Sequence, residues 1–249
     1  MLAWAPIAVQ AMFGISVVAF VAVMFIVAPY GRHVREGWGP VMPQWLGWVV
    51  MESPALWLVW GLFLTGSARS TAVWVLIAAW TLHYGHRVVV WPMRLSAPWR
   101  PMPVLVCALA FTFNLLNGFV QGTWLGSLNG YDASWLAAPQ LWIGLAVFAA
   151  GEWMNHAADA TLLALRKPGE TGYKVPMGGM YHYVSCPNYL GEIIAWTGWA
   201  IATWSLAGLS FAVFTFANLA PRAVANHRWY RETFPDYPST RRALIPFVW

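Results

Sequence analysis

Stretches of about twenty predominantly apolar residues recur along this chain, a length that crosses the hydrocarbon core of a bilayer as a helix. Seven can be marked, at about 5–28, 44–64, 71–93, 103–126, 135–165, 187–205 and 208–226. They do not alternate polar with apolar residues, as the strands of a membrane barrel would. Only 9% of the 249 residues are charged and 59% are hydrophobic, whereas a soluble domain carries roughly 25% charged residues. The expected fold is therefore an all-α integral membrane protein of seven transmembrane helices, read as a single domain over 1–249. The first run is long enough to span and lacks a basic leader, so it reads as a helix rather than a cleavable signal. The fifth turns polar toward its end. "SLAGLS" between the last two predicts a tight helical hairpin.

Lysine and arginine placement orients the spans. Arg32 and Arg35 follow span one, Arg94 and Arg100 follow span three, and Arg166, Lys167 and Lys174 follow span five. The tail adds Arg222, Arg228, Arg231, Arg241 and Arg242, so twelve of the fourteen basic residues fall on one side. Arg69 lies opposite and Arg87 lies within span three. This puts the N-terminus outside and the C-terminus in the cytosol. The net charge of +5 fits contact with anionic lipid head groups, or basic loops converging on a phosphorylated cofactor. No nucleic-acid-binding motif accompanies it. Cys107 and Cys186 are too few for a metal or disulfide framework.

Ionisable groups inside a membrane are costly and mark sites. Span two holds Glu52, with Pro54 close behind as a candidate kink. In span three Tyr84, Arg87 and Trp91 share a face, with His83 and His86 beside them. The two histidines lack further ligands, so no metal is expected. Span four carries Asn114, Asn117 and Gln121 in one row, suited to interhelical hydrogen bonds or to a cavity wall. Span five carries Glu152, Asn155, His156 and Asp159, with Arg166 continuing the face toward the cytosol. In span six, Asn188, Glu192, Trp196 and Trp199 share a face, and Pro187 fits the first turn. The last two rows can line a polar pocket open to the cytosol or a proton or ion pathway, leaving enzyme and transporter both open. No G-x-G-x-x-G or P-loop occurs. A bound dinucleotide would use helix faces and the Gly-, Tyr- and Lys-rich segment between spans five and six.

"LRKPGETGYKVPMGGMYHYVSCPNYLGEIIAWTGWAIATWSLAGLSF", followed by "HRWYRETFPDYPSTRRALIPFVW", resembles the steroid 5α-reductases. "HYGHR" and "NGFVQG" extend the resemblance into spans three and four, and "PYGRH" into the first loop. The resemblance implies a seven-helix membrane reductase that uses NADPH to saturate the Δ4 double bond of a 3-oxo steroid. It implies that Glu52 and Tyr84 hydrogen-bond the steroid ketone, supported by Arg87 and Asn117. It further implies that Asn155, Asp159, Arg166, Tyr173, Lys174, Asn188, Glu192, Trp196, Arg222 and Tyr230 contact the cofactor, with Arg100 and Tyr30. The substrate side then falls mainly in about 1–126 and the cofactor side in about 135–249. The chain departs from the family pattern at Ala195 (an acid), Trp91 (a tyrosine), Asn226 (a histidine) and Met51 (a glutamine).

On this reading Tyr84 donates to the oxygen on which charge develops. Glu52 donates only as the neutral acid, the form that burial favours and that direct pairing with Arg87 would oppose. The expected partners are a steroid or other lipid-like enone and membrane lipids, with the protein acting as a monomer. The membrane is a bacterial inner membrane or an endoplasmic-reticulum-type membrane. The alternatives are a related membrane enoyl reductase, a methyltransferase using S-adenosylmethionine, and a transporter.

Overall fold

The computed structural model describes residues 2–95, 99–165, 170 and 172–249. The chain is built from long helices. α1 is Ala5–Phe25 and α2 is Gln44–Thr65. α3, Thr71–Gly85, continues through a π turn at His86–Val90 into the short α4, Trp91–Arg94, as one rod. α5, Val104–Thr123, also ends in a π turn, Trp124–Leu128. α6 is Pro139–Ala164, α7 is Pro187–Thr203 and α8 is Leu206–Thr233.

These match the seven apolar runs, with differences at the ends. α1 stops three residues short of the expected span, and α6 begins at Pro139 after a separate turn at Ala133–Ala137. α8 continues to Thr233, because the helix persists after its sequence has become polar. The α7–α8 turn is shorter than expected, reversing at Trp204 in the left-handed region (φ 43°). The Ser205 hydroxyl then caps α8 by accepting from the Gly208 N–H at 2.9 Å. α2 runs unbroken through Pro54, where a kink was a candidate. By length and apolarity five of the described helical rods suffice to cross a membrane. α6 carries a polar row and α7 has only 17 residues, so neither is among the five. The protein is a multi-pass membrane protein.

Two helix pairs frame the bundle. Strands β1 (Val41–Pro43) and β2 (Pro101–Pro103) form an antiparallel ribbon that ties the starts of α2 and α5 together. The two helices then run parallel in close contact. A Cβ on Gly122 would meet the Val59 backbone and Leu62 at 3.0 Å, and one on Gly126 the Leu62 carbonyl at 2.5 Å. α6 and α7 are antiparallel and closer still. Gly144 and Gly151, seven residues apart, face Gly198 and Gly191, and each lies against the opposite backbone. Small residues allow such approach where lipid offers little hydrophobic drive for helix association.

α3, α7 and α8 meet in an aromatic core. Trp80, Trp196 and Trp199 are fully buried. Trp80 lies 5.3 and 5.2 Å from the other two rings, and Phe211 lies 4.2 Å from Trp196.

Candidate functional site

The last turns of α3 bring chemistry from three neighbours to one place. His83, Tyr84, His86 and Arg87 flank the start of the π turn, whose extra residue per turn changes the direction of successive side chains. Arg87 turns to α2, where its Nη2 donates to Glu52 Oε1 at 3.0 Å, and its guanidinium lies 4.5 Å from the Trp48 ring. The other carboxylate oxygen accepts from Asn114 Nδ2 at 3.3 Å, and the same amide donates to the Met51 carbonyl at 2.7 Å. Tyr84 is 2% exposed, and the Asn117 side chain on α5 lies near its hydroxyl. Arg87 therefore faces Glu52 directly, the arrangement that opposes a proton-donating role for that acid.

The amide row of α5 acts chiefly between helices. Gln121 donates to the Ala207 carbonyl at 2.7 Å and accepts from the Trp199 indole at 3.1 Å. Some donors are left over. Among the described residues Asn117 Nδ2, Trp196 Nε1, Trp48 Nε1 and Trp91 Nε1 are buried without a partner. A buried donor with no acceptor costs about 1–3 kcal/mol. Asn117 and Trp196 flank Tyr84, with the Trp196 ring 5.8 Å from the tyrosine ring. This neighbourhood is suited to ligand acceptor atoms.

The α6 row divides in two. Asn155 Nδ2 donates to the Asn188 carbonyl at 2.9 Å, and Asn188 Nδ2 donates to Asp159 Oδ1 at 3.0 Å, knitting α6 to the start of α7. Glu152 and His156 turn to α3 instead. Glu152 Oε1 hydrogen-bonds to His83 Nδ1 at 2.8 Å, and the His156 ring lies 4.1 Å from that of His86. Glu192, on α7, interacts electrostatically with Tyr84, Arg87 and Asp159. Ala195 is fully buried against Gly151, where the close α6–α7 backbones leave little room.

From Asn188 a cavity opens toward the basic end of the bundle. Its walls include Tyr30, Arg100, Tyr173, Lys174, Arg222 and Tyr230, all expected as cofactor contacts. Of the rest, Asn155 and Asp159 are bonded to Asn188, while Glu192 and Trp196 lie deeper, the latter within the aromatic core. Arg166 lies outside the described residues. Arg222 stands 4.7 Å from the Tyr30 ring, Arg100 donates to the Tyr173 hydroxyl at 3.3 Å, and Lys174 pairs with Glu170 at 2.6 Å.

Three cavity residues escaped the sequence reading as site candidates. Arg32 sits 4.3 Å from the Tyr230 ring and 4.9 Å from Trp229, and its buried Nη1 has no partner among the described residues. His33 Nε2 hydrogen-bonds to Asn226 Oδ1 at 3.0 Å, and Asn226 reaches the Tyr189 hydroxyl at 3.4 Å. Burial holds the His33 imidazole below its ordinary pKa, with the Arg32, Arg35 and Arg222 charges adding to it against the Asn226 hydrogen bond. Its positive charge is thus disfavoured, leaving the arginines and Lys174 as the cations of the cavity. In the sequence Arg32 serves only to orient the spans. Its place in "PYGRH", inside the region of resemblance, was the available signal.

This donor set suits a phosphorylated dinucleotide. Guanidinium and ammonium groups fit phosphates, and flat rings fit a base. The orphaned Arg32 Nη1 at the wall is the most specific indication.

A family model described as 3-oxo-5-alpha-steroid 4-dehydrogenase matches residues 100–249. The chain is 44% identical over 241 residues to steroid 5-alpha-reductase DET2 of Gossypium hirsutum, covering 94% of this chain and 93% of the relative. It is 44% identical to the protein of the same name from Arabidopsis thaliana, over 92% and 90% of the two chains. It is 40% identical to 3-oxo-5-alpha-steroid 4-dehydrogenase 1 of Homo sapiens, over 88% and 85%.

Proposed function

Because the chain belongs to the 3-oxo-5-alpha-steroid 4-dehydrogenase family of steroid reductases, we infer that it reduces the Δ4 double bond of a 3-oxo-Δ4 steroid with NADPH, delivering hydride to C5. The observation that carries this reading is a buried tyrosine hydroxyl beside the Glu52–Arg87 pair, next to unpartnered donors. When bound, NADPH supplies the hydride. The protein must then manage the negative charge that develops on the C3 oxygen. Tyr84 meets that oxygen with its O–H. Arg87, held in place by Glu52, adds positive charge nearby, and Asn114 fixes the far side of the carboxylate. Asn117, whose Nδ2 is left without a partner among the described residues, offers a second N–H beside the Tyr84 hydroxyl. The proton that completes the reduction ends on C4.

Arg32, Arg100, Lys174 and Arg222 would hold the cofactor phosphates, with Tyr30, Tyr173 and Tyr230 offering flat surfaces. Asn155, Asp159, Asn188, Glu192 and Trp196 would receive its inner end, and Arg166 belongs to the same proposal by resemblance. The substrate side is mainly α1–α5 and the cofactor side mainly α6–α8. The same proposal has the protein act as a monomer. We read all seven long rods as membrane spans, with the N-terminus outside and the cofactor cavity facing the cytosol. Supporting this, basic residues from four separate segments, Arg32, Arg100, Lys174 and Arg222, line one cavity.

NADPH oxidation by detergent-solubilised protein, with testosterone or progesterone added, tests the reading. Steroid-dependent oxidation with a 5α-reduced product is expected, and its absence from folded protein would remove the proposal. For the cofactor half, Arg32→Ala is expected to weaken NADPH binding about tenfold to 100-fold, the scale of a lost charge-assisted hydrogen bond. Fluorescence titration reads it, and an unchanged dissociation constant would count against the cavity. Asn155→Ala should weaken binding in the same assay.

A further inference from the structure

We propose that His156, Glu152 and His83 form a proton path that replenishes Tyr84 after each turnover. The proposal rests on the reductase reading above, in which Tyr84 gives up its hydroxyl proton toward the C3 oxygen. The phenolate left behind sits among Trp80, Trp196 and His83, at ring separations of 4.7, 5.8 and 4.8 Å. It must regain a proton before the next cycle. Glu52 is already engaged by Arg87 and Asn114.

The α3–α6 interface holds a string of ionisable groups of graded exposure. The His156 side chain is 38% exposed, Glu152 15% and His83 5%. His156 Nε2 lies 3.6 Å from Glu152 Oε2, and Glu152 Oε1 is 2.8 Å from His83 Nδ1. His83 is the immediate chain neighbour of Tyr84 and meets it edge to face. Phe148 and Trp196 close the buried end, with ring centroids 6.4 and 4.7 Å from that of His83. His86 braces the outer end against the His156 ring, and its own buried Nδ1 has no partner among the described residues. A structural staple between α3 and α6 would need one acid and one histidine. It would not need a second histidine on the exposed side of the same carboxylate.

The step balances simply. Water protonates His156, the proton passes to Glu152 and then to His83, and His83 returns one to the Tyr84 oxygen. The proton that Tyr84 gave to the C3 oxygen moves on to C4 as the enol becomes the ketone. The one proton the reduction consumes is therefore drawn through the path from water, which leaves hydroxide to the solvent. The charged groups facing the path are Arg87 and Arg94 on the α3–α4 rod, Asp159 on α6, Glu52 on α2 and Glu192 on α7. They set the pH at which it conducts.

Glu152→Gln keeps the shape and a hydrogen-bonding oxygen but cannot carry a proton. It is expected to lower kcat about tenfold or more, within the range of general acid–base contributions. The steroid KM and the NADPH dissociation constant should stay as in the wild type. The solvent deuterium isotope effect on kcat should rise, and the kcat pH profile should change. His156→Gln, at the exposed end, should lose turnover that added imidazole partly restores. The path is overturned if both variants turn over like the wild type. It is also overturned if kcat falls while the isotope effect and pH profile stay as they were. A wild type that never oxidises NADPH with steroid removes the reductase reading and the path together; an active wild type with indifferent variants removes the path alone.

Discussion

Tyr84→Phe is expected to reduce steroid turnover by about 10²- to 10³-fold, the loss seen when a donor to a developing oxyanion is removed. The substitution deletes one oxygen from a ring packed between Trp80 and Trp196, so the bundle should keep its stability. NADPH affinity should also be retained, because Tyr84 is not among the groups lining the basic cavity. Steady-state kinetics beside a cofactor titration separates the two. Full turnover in the phenylalanine variant would remove Tyr84 from the chemistry. Glu52→Gln should act in the same direction by releasing Arg87, and retained activity in both variants would defeat the assignment.

A second large effect belongs to folding. Gly198→Leu should destabilise the protein by about 3 kcal/mol or more, at or beyond the upper end of ordinary overpacking. Its Cβ would stand 2.3 Å from the Phe148 backbone nitrogen and 2.6 Å from the Gly144 carbonyl. Neither atom can rotate away as a side chain would. The α6–α7 pair must separate to admit the new side chain, and the Asn155–Asn188–Asp159 bonds go with it. Thermal unfolding in detergent should show the loss, whereas Gly14→Leu, with nothing within 4 Å of its Cβ, should unfold as the wild type does. Equal midpoints for the two variants would contradict the close packing.

The helices were legible because apolar runs state length and position directly. Their ends were less so. α8 outruns its apolar stretch because "HRWYRET" has no reason to stop being helical where the bilayer ends. The π turn at His86–Val90 left no mark in the sequence, since it depends on how α3 meets its neighbours. Side-chain partners were the least legible. Glu52 and Arg87 were both marked as rare intramembrane charges, but their 3.0 Å contact spans 35 positions in the chain. The α6 row reads as one stripe from Glu152 to Asp159. In the structure its members face α3 and α7 separately, since a stripe spread over two turns can meet two helices. Arg32 was hidden by its company, because a basic residue in a loop between apolar runs already has an explanation as an orientation signal.

The end of α3 is a junction at which α2 holds Arg87 and α6 holds His83, with Tyr84 between them on the same short segment. Such a segment cannot shift toward one partner without loosening its grip on the other. Steroid settling against Tyr84 and dinucleotide settling near Trp196 would therefore not be independent events. By thermodynamic reciprocity, whatever each does to the other's affinity must be returned by the same factor, so the two binding sites should behave as linked occupants of one hinge.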